Sequence, residues 1–392
     1  MNIKVSQLAN AIRFLSIDAV QKANSGHPGM PMGMADVATV LFKFHLRFNP
    51  KNPSWINRDR FILSAGHGSM LLYSLLYLTG YEKVKLEDIK NFRQLESICA
   101  GHPEYIYNSG IETTTGPLGQ GLANSVGLAI ASEIYKKKFG SKIINHKTYV
   151  IASDGDLMEG ISHESMSLAG HLKLKNLIVF FDNNKISIDG STSLSVSDNY
   201  KKRFESYGWN FIEINGHNEK QINTAIKKAQ KSNKPTLISC KTIIGFGSPN
   251  KSGKSSSHGS PLGEDEIKLV RKKLKWSHLP FEIPNDILKE WRQIGVKGEK
   301  LEKDWLTDLN NSKPDIKKKF NQLNNKIIRD KLNELITSEK EKYFKDKPSM
   351  ATRQCSMNVI KVLNDLIPNL IGGSADLSGS NNTKTSNSII LN

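Results

Sequence analysis

Two short apolar segments each run into polar residues that could bind a metal ion. The first ends in Asp154-Gly155 and the second in Asn183-Asn184, with one helical stretch between them, which is the length of a βαβ unit. Since adjacent parallel strands end at the same edge of a sheet, we expect Asp154 and Asn184 to lie about one strand spacing apart. With the carbonyl of Ile186 they form a set of hard oxygen donors that suits Mg²⁺, Ca²⁺ or Mn²⁺ and leaves room for diphosphate oxygens. An Asp-Gly turn followed by an Asn-rich loop without metal is the alternative.

Histidines beside glycines form a second group of candidates. Histidines with this setting include His27, His67, His102, His217 and His258. Glycine allows a ligand or backbone to approach closely, and imidazoles bind hydroxyls and phosphates and relay protons near neutral pH. A single histidine is more often a loop or core residue. We interpret His217 in this way, as part of a strand-to-helix turn with a capping role, and keep the other four as candidates.

The segment TTTGPLGQG at 113–121 is a third signal. It precedes an Ala-rich stretch, predicted as a helix over Leu122–Lys136, so its N–H groups could meet an anion or a flat ring at a helix N-terminus. It lacks the Gly-Lys-Ser/Thr ending of a P-loop and does not match a dinucleotide fingerprint. Taken alone, this segment is a weak indication.

The elements that position these residues alternate between helices and short β-rich runs. Helices are predicted at Val5–Ala23, Ala35–Phe44 and Ser69–Leu78, and strands at Arg60–Leu63, Thr148–Ala152, Leu177–Phe181, Trp209–Ile214 and Thr236–Lys241. This alternation predicts an α/β fold with a parallel sheet flanked by helices. Ligands of such sheets bind beyond the carboxyl ends of the strands, where the candidate residues lie.

The pattern changes along the second half of the chain. A Gly/Ser-rich loop at Ile244–Gly263 precedes the acidic start of a helix at Glu264, and residues 276–348 are predicted as a helical linker over the surface. Residues 349–392 begin a second α/β unit, with a helix at Thr352–Leu366 and a strand at Leu370–Gly373. These few elements cannot build a core. We therefore expect a cofactor- or metal-binding domain over 1–275. For the second unit, we expect either that a partner polypeptide supplies the rest of it or that the sequence is a fragment.

Charge and cysteine content restrict the class of protein. The 392 residues carry 55 Lys+Arg and 38 Asp+Glu, a net charge of +17. The basic runs are scattered over predicted helix surfaces, which disfavours nucleic acid and acidic membranes as main partners. The remaining explanations of the positive charge are phosphorylated small-molecule ligands and a Lys-rich proteome. Cys99, Cys240 and Cys355 are far apart, which fits a reducing compartment, and no apolar run is long enough to span a bilayer. We expect a cytoplasmic protein.

Taken together, these motifs closely resemble transketolase, a thiamine diphosphate-dependent family. The matching segments are SGHPGMPMG (25–33), SAGHGS (64–69), GHPE (101–104), TTGPLGQG (114–121), SDGDLMEG (153–160), DNNKISIDG (182–190), SHGSPLG (257–263), ATRQCS (351–356) and GGSADLSGSN (372–381). They occur in order and span almost the whole chain. The resemblance implies a cofactor domain with a parallel sheet, a linker and a second α/β domain that binds the aminopyrimidine, of which residues 349–392 are the incomplete start.

The resemblance also implies a role for individual residues. The metal would be bound by Asp154, Asn184 and the Ile186 carbonyl. The cofactor would contact His67, Gly116, Pro117, Leu118, Gly155, Asn184, His258 and Asp376. His27, His102 and His258 would surround the reactive carbon, and His27, His258, Arg353 and Ser380 would bind the sugar phosphate.

The implied reaction transfers a two-carbon ketol unit from a ketose phosphate to an aldose phosphate, in a homodimer with active sites at the subunit interface. Ser153 replaces the usual first glycine of the metal turn, a small change. No segment matching the family's catalytic glutamate occurs before Asn392, so we expect that this chain alone does not turn over. Two alternatives stay open: a non-catalytic cofactor-binding subunit that needs a partner chain, and a related thiamine diphosphate-dependent synthase.

Overall fold

The computed structural model describes residues 3–321, 323, 327–367, 369–374, 376–386, 388 and 390, with the backbone alone at 327–329. The chain divides into two compact units, Met1–Asn311 and Ser312–Asn392. No helix of the described residues is long and apolar enough to cross a membrane.

A parallel sheet forms the centre of the first unit. The strands are β1 (Arg60–Leu63), β2 (Thr148–Ala152), β3 (Leu177–Asn183), β4 (Ile186–Ser187), β5 (Gly190–Ser191), β6 (Asn210–Asn215) and β7 (Thr236–Lys241). Five of them pair in parallel in the order β1-β2-β3-β7-β6, while β4 and β5 form a small antiparallel hairpin. The predicted α/β fold is confirmed, with strand bounds within two residues of those expected.

Helices cover both faces of this sheet. They are α1 (Val5–Ala23), α2 (Gly29–Phe44), α3 (Met70–Thr79), α4 (Leu86–Lys90), α5 (Gln120–Phe139), α6 (Asp154–Met158), α7 (Gly160–His171), α8 (Tyr200–Ser206), α9 (Glu219–Gln230), α10 (Glu264–Lys273) and α11 (Asn285–Asn310). Alternate strand residues enter two different hydrophobic cores: Tyr149 and Phe180 face the core built by α1–α3, and Val150 and Val179 face the other. Because β2 and β3 are buried on both faces, their sequences are nearly continuous apolar runs.

Helix α2 begins at Gly29, six residues before the predicted start at Ala35. Its first turns are glycine-rich because the helix lies against backbone from the loop after β7. A Cβ on Gly29 would lie 2.4 Å from the carbonyl oxygen of Ser257, and one on Gly33 would lie 3.0 Å from that of Ile243. The sequence did not indicate the start of the helix because glycine has a low helix propensity. The helix begins early enough to place His27 just before its first turn.

Helix α11 packs into the first unit, whereas the sequence predicted a surface linker from residue 276. Trp291 is fully buried and its indole N–H donates to the carbonyl oxygen of Leu8 at 3.3 Å. A Cβ on Gly298 would lie 1.9 Å from the carbonyl oxygen of Phe48, so the helix touches neighbouring backbone there. The first unit therefore extends to Asn311, while the functions assigned to 1–275, 276–348 and 349–392 stay predictions.

The second unit contains α12 (Pro314–Asn321), α13 (Ile327–Asp346), α14 (Thr352–Leu366) and α15 (Ser378–Asn381). The helix predicted at Thr352–Leu366 is confirmed, and Asn358 of α14 donates to the Tyr343 hydroxyl of α13 at 2.8 Å. The strand predicted at Leu370–Gly373 is wrong, since these residues are irregular. A strand needs a neighbour to accept its hydrogen bonds, and the described residues of this unit supply none.

The close approach of α11 gives a test with two identical substitutions. We expect Gly298→Ala to lower the free energy of unfolding by about 1–3 kcal/mol, because the new methyl group overlaps the backbone of Phe48. Gly127→Ala, on the exposed surface of α5, adds a methyl group that has no neighbouring atom of the described residues within 4 Å, and it should raise the free energy of unfolding by about 0.5–1 kcal/mol. All five tryptophans lie in the first unit, so urea unfolding followed by tryptophan fluorescence reports on it. Equal effects of the two substitutions would contradict this packing.

Candidate functional site

The carboxyl ends of β2 and β3 bring the predicted metal ligands to one edge. Ala152 pairs with Phe181 in parallel register, so Asp154 begins α6 beside the end of β3. Asp154 is 5% exposed and accepts a hydrogen bond from the Tyr200 hydroxyl at 3.2 Å. Asn184 follows β3 directly, and its amide oxygen accepts from the N–H of Ile186 at 2.9 Å. The three residues therefore lie at one edge, and their role as ligands stays a prediction.

Asp182 is a second buried carboxylate at this edge, which the sequence analysis missed. It accepts hydrogen bonds from the Thr242 hydroxyl and, at 2.8 Å, from the Asn184 amide. Burial raises the pKa of Asp182 to about 7; the Thr242 and Asn184 hydrogen bonds oppose this rise, and the negative charge of Asp154 adds to it. An acid within the apolar run of β3 was the available signal.

The donor set at this edge fits a divalent cation. Burial raises the pKa of Asp154 to about 6, although the Tyr200 hydrogen bond and the charge of Lys185 lower it. Asp154 forms no ion pair among the described residues, so a cation would supply the missing positive charge. Within the described chain, no three His, Cys, Asp or Glu side chains gather as a metal site. A cation here would therefore need amide, carbonyl and ligand oxygens as well as Asp154.

Glycine turns line the edge next to Asp154. A Cβ on Gly66 would lie 2.6 Å from the backbone nitrogen of Gly116, and one on Gly116 would lie 3.0 Å from the ring of His102. A Cβ on Gly155 would lie 2.7 Å from the side chain of Leu118. The exposed Pro117 lies between Gly116 and Leu118 in the same turn. The GPLGQG segment (116–121) is thus packed between the turns that carry His67 and His102 on one side and the turn at Asp154-Gly155 on the other.

Asp156 holds these turns together, and the sequence analysis missed it. This fully buried carboxylate accepts hydrogen bonds from the Ser64 hydroxyl at 2.7 Å, the Gly119 N–H at 2.9 Å and the Ser153 N–H at 2.9 Å. These three partners lie in separate segments: Ser64 directly after β1, Gly119 in the GPLGQG segment, and Ser153 directly before α6. Ser153 has φ of −105° and caps α6, so the position does not require the glycine usual in the family.

Three of the four candidate histidines form a triangle. Ring centroids of His27 and His67 are 5.2 Å apart, those of His67 and His258 are 5.2 Å apart, and those of His27 and His258 are 5.7 Å apart. His102 is near enough that its positive charge would lower the pKa of both His27 and His67. The structure therefore brings all four together.

These histidines are neutral at physiological pH. Burial, and then the neighbouring imidazoles, lower the pKa of His27 to about 4 and that of His67 to about 3. Burial also lowers the pKa of His102 and His258. The Nδ1 atoms of His27 and His258 are buried without a hydrogen-bond partner in the described residues. Such atoms are available to a ligand's hydroxyl or carbonyl groups.

Arg93 lies beside the histidines and was also missed. It adopts a left-handed backbone conformation with φ of 62°, and its guanidinium donates to the Ser25 hydroxyl at 2.7 Å. Its charge lowers the pKa of His27 and of His102, in each case after burial. A single arginine in an irregular segment gives no signal in the sequence.

The hairpin and the loop after β7 connect the histidines to the metal turn. A Cβ on Gly259 would lie 3.3 Å from the His27 ring and 3.5 Å from the side chain of Ile188, which lies between β4 and β5. Ile188 lies two residues after Ile186, the last residue of the predicted metal-binding segment. The histidines and the acidic edge therefore form one continuous site.

His217 has a different role from the one predicted. It lies in the turn between β6 and α9, as expected, but the capping residue of α9 is Asn218, which accepts from the N–H of Gln221. The His217 ring bonds Asp36 at 2.8 Å and accepts from the N–H of Ile243 at 3.1 Å. It is a structural residue because both ring nitrogens are occupied within the fold.

Three candidate residues belong to the second unit. Arg353 lies in the first turn of α14, Ser380 lies in α15, and Asp376 has a left-handed backbone with φ of 53°. All three side chains are exposed within the described part of this unit. Their roles at a cofactor or sugar phosphate stay predictions.

The chain matches a known domain and known proteins over most of its length. Residues 4–332 match the family model "Transketolase, thiamine diphosphate binding domain". The chain is 54% identical to a transketolase from Buchnera aphidicola, covering 96% of this chain and 58% of that protein. It is 52% identical to one from Rhodobacter capsulatus, covering 97% and 56%.

Solved structures give the same result. A Campylobacter jejuni transketolase superposes with a TM-score of 0.90 at 44% identity, covering 99% of this chain and 59% of that chain. A Pichia stipitis transketolase in complex with sedoheptulose 7-phosphate superposes with a TM-score of 0.85 at 40% identity, covering 98% and 57%. The chain thus spans somewhat more than half the length of these relatives. It belongs to the transketolase family, and residues 4–332 are its thiamine diphosphate-binding domain.

Proposed function

We propose that this chain holds the diphosphate end of thiamine diphosphate through a divalent cation and takes part in ketol transfer between sugar phosphates. The observation that carries the proposal is the convergence, at one edge of the sheet, of four neutral histidines and the Asp154 carboxylate, which has no ion pair among the described residues. The cofactor, when bound, supplies the electron sink for breaking and forming a carbon–carbon bond next to a carbonyl.

The acidic edge would hold the metal and the diphosphate. Asp154, Asn184 and the Ile186 carbonyl would bind Mg²⁺, with Ca²⁺ or Mn²⁺ as substitutes, and the diphosphate would complete the oxygen shell. Asn183 supports this assignment because its buried amide oxygen has no partner within the described residues. Gly155, where a Cβ would lie 2.7 Å from the Leu118 side chain, would also contact the diphosphate.

The glycine turns and the histidines would surround the organic part of the cofactor. His67, Gly116, Pro117 and Leu118 would line it, and His258 would contact both cofactor and sugar. His27, His102 and His258 would bind sugar hydroxyls and hold or move protons at their ring nitrogens. Neutral imidazoles suit these tasks, because each offers one donor and one acceptor nitrogen.

The remaining assignments follow the family resemblance. Arg353 and Ser380 would bind the sugar phosphate, and Asp376 would lie near the cofactor. We also propose a homodimer with its active sites at the subunit interface, and a cytoplasmic location, which the free cysteines Cys99, Cys240 and Cys355 support. The relatives and structures reported above are named transketolase, so neither a related synthase nor a non-catalytic subunit finds support among them.

The metal site gives the first test of this proposal. We expect the 392-residue chain to bind thiamine diphosphate in the presence of Mg²⁺ and to lose that binding when EDTA removes the metal. Asp154→Asn should weaken binding at least tenfold, because it removes the anionic ligand but keeps the side-chain shape. Asp265→Asn on exposed α10 is the matched control. Calorimetric titration measures both, and equal affinity of the two variants would refute the metal assignment.

Ketol transfer is tested by adding the portion of a relative that lies outside the match. The chain is assayed with a ketose phosphate and ribose 5-phosphate, alone and mixed with the part of the Buchnera aphidicola transketolase that lies outside the matched region. Turnover is expected only in the mixture, since the resemblance places a catalytic glutamate outside the matched residues. His258→Gln should reduce the rate by about 10²–10⁴. A mixture that binds the cofactor but does not transfer ketol units would contradict the transferase proposal.

The buried histidines predict how stability changes with pH. Between pH 6.5 and about 3 the unfolded chain protonates His67 and the folded chain does not, so the free energy of unfolding falls as the pH is lowered. His67→Gln should make this decline less steep, whereas His171→Gln, at an exposed position on α7, should leave it unchanged. Urea unfolding from pH 4 to 7, followed by tryptophan fluorescence, measures the slopes. Parallel curves for wild type and His67→Gln would show that His67 is not held neutral by the fold.

A further inference from the structure

A second polar cavity lies at the opposite edge of the sheet, where the strands begin. This basal cavity has a volume of about 250 Å³ and is lined by residues next to the starts of β2, β3 and β7 and by α5. His146 and Lys147 precede β2 directly, and Lys175 and Asn176 precede β3. None of the residues assigned to the cofactor or the sugar phosphate lines it. The five residues of β2, at about 3.3 Å each, separate it from the cofactor edge by roughly 16 Å.

The lining of the basal cavity is strongly positive. Its cations are Lys136, Lys147, Lys175 and Lys231, and its acidic residue is Glu133, which pairs with Lys136 at 3.4 Å. Lys175 and Lys231 form no ion pair among the described residues. Several unpaired like charges around one cavity repel each other, and an anion would relieve that repulsion.

Two buried residues of the lining each have one polar atom without a hydrogen bond in the described residues. Asn176 is 4% exposed; its amide nitrogen donates to the carbonyl oxygen of Ala129 at 2.9 Å, which leaves its amide oxygen without a partner in the described residues. His146 is 5% exposed and its Nδ1 likewise has no partner there. Burial, and then the charges of Arg60, Arg47 and Arg58, lower the pKa of His146 to about 2, so the ring is neutral. Buried polar atoms normally have partners, so these two indicate a ligand or ordered water.

We propose that the basal cavity is a binding site for a small phosphorylated polyol, distinct from the cofactor site. Lys147, Lys175 and Lys231 bind the phosphate group, and the hydroxyl groups donate to the Asn176 amide oxygen and to the neutral His146 ring. The volume suits one such molecule, because sites for larger ligands span about 300–1,000 Å³. This assignment is independent of the ketol-transfer proposal, since it shares none of its residues.

The test compares two charge reversals of equal size. Glycerol 3-phosphate and inorganic phosphate are titrated calorimetrically into the full chain with Mg²⁺ and thiamine diphosphate present. Lys175→Glu/Lys231→Glu should weaken binding at least tenfold, and both lysines are exposed, so the fold should tolerate the change. Lys297→Glu/Lys300→Glu on exposed α11 surface carries the same change in net charge and should leave binding within twofold.

Each outcome decides a part of the proposal. Selective loss in Lys175→Glu/Lys231→Glu supports the basal site, and tighter binding of glycerol 3-phosphate than of phosphate supports a polyol ligand. Equal affinity for the two probes would overturn the hydroxyl contacts to Asn176 and His146 and leave a plain phosphate site. Equal weakening by both charge reversals, or no saturable binding to the wild-type chain, would overturn the site itself.

Discussion

The parallel pairing of β2 with β3 is the constraint on which the site depends. All residues of both strands are buried, so their backbone hydrogen bonds and their side chains on two faces admit only one register. That register ends the two strands side by side and delivers Asp154 and Asn184 to one edge. A slip of one residue would turn the apolar side chains to the wrong cores and separate the two polar residues. The geometry of the site is therefore a consequence of core packing.

Several polar groups at this edge do not stabilise the isolated fold. Among the described residues, Asp154 and Asp182 are buried without an ion pair, and His27 and His258 each keep a buried ring nitrogen without a hydrogen bond. Each such group is unfavourable in a protein interior. Asp156 is the contrast, because its hydrogen bonds to three separate segments hold the turns in place. The network around Asp156 thus gives rigid support to groups that are left available for a ligand.

Sequence periodicity predicted most elements, and its failures have local causes. The bounds of α1 and α14 match the prediction because an amphipathic helix carries its own pattern. The start of α2 was missed since glycines needed for close packing lower helix propensity. The strand predicted at Leu370–Gly373 failed because an apolar run becomes a strand only beside another strand. Asp156 was missed because its partners Ser64 and Gly119 are remote in sequence.

By itself, the sequence determined the family, the parallel α/β fold and the types of functional residue at the site. It could do so because each strand, turn and functional motif is specified by a short contiguous segment. Only the tertiary structure decided which of these residues meet and in what state. The histidine triangle joins three distant turns, and its neutral imidazoles follow from burial and mutual repulsion. The unpaired acids and the basal cavity likewise depend on which side chains the fold encloses together. Contacts between remote segments and the exclusion of water are properties of the folded chain, and no local pattern contains them.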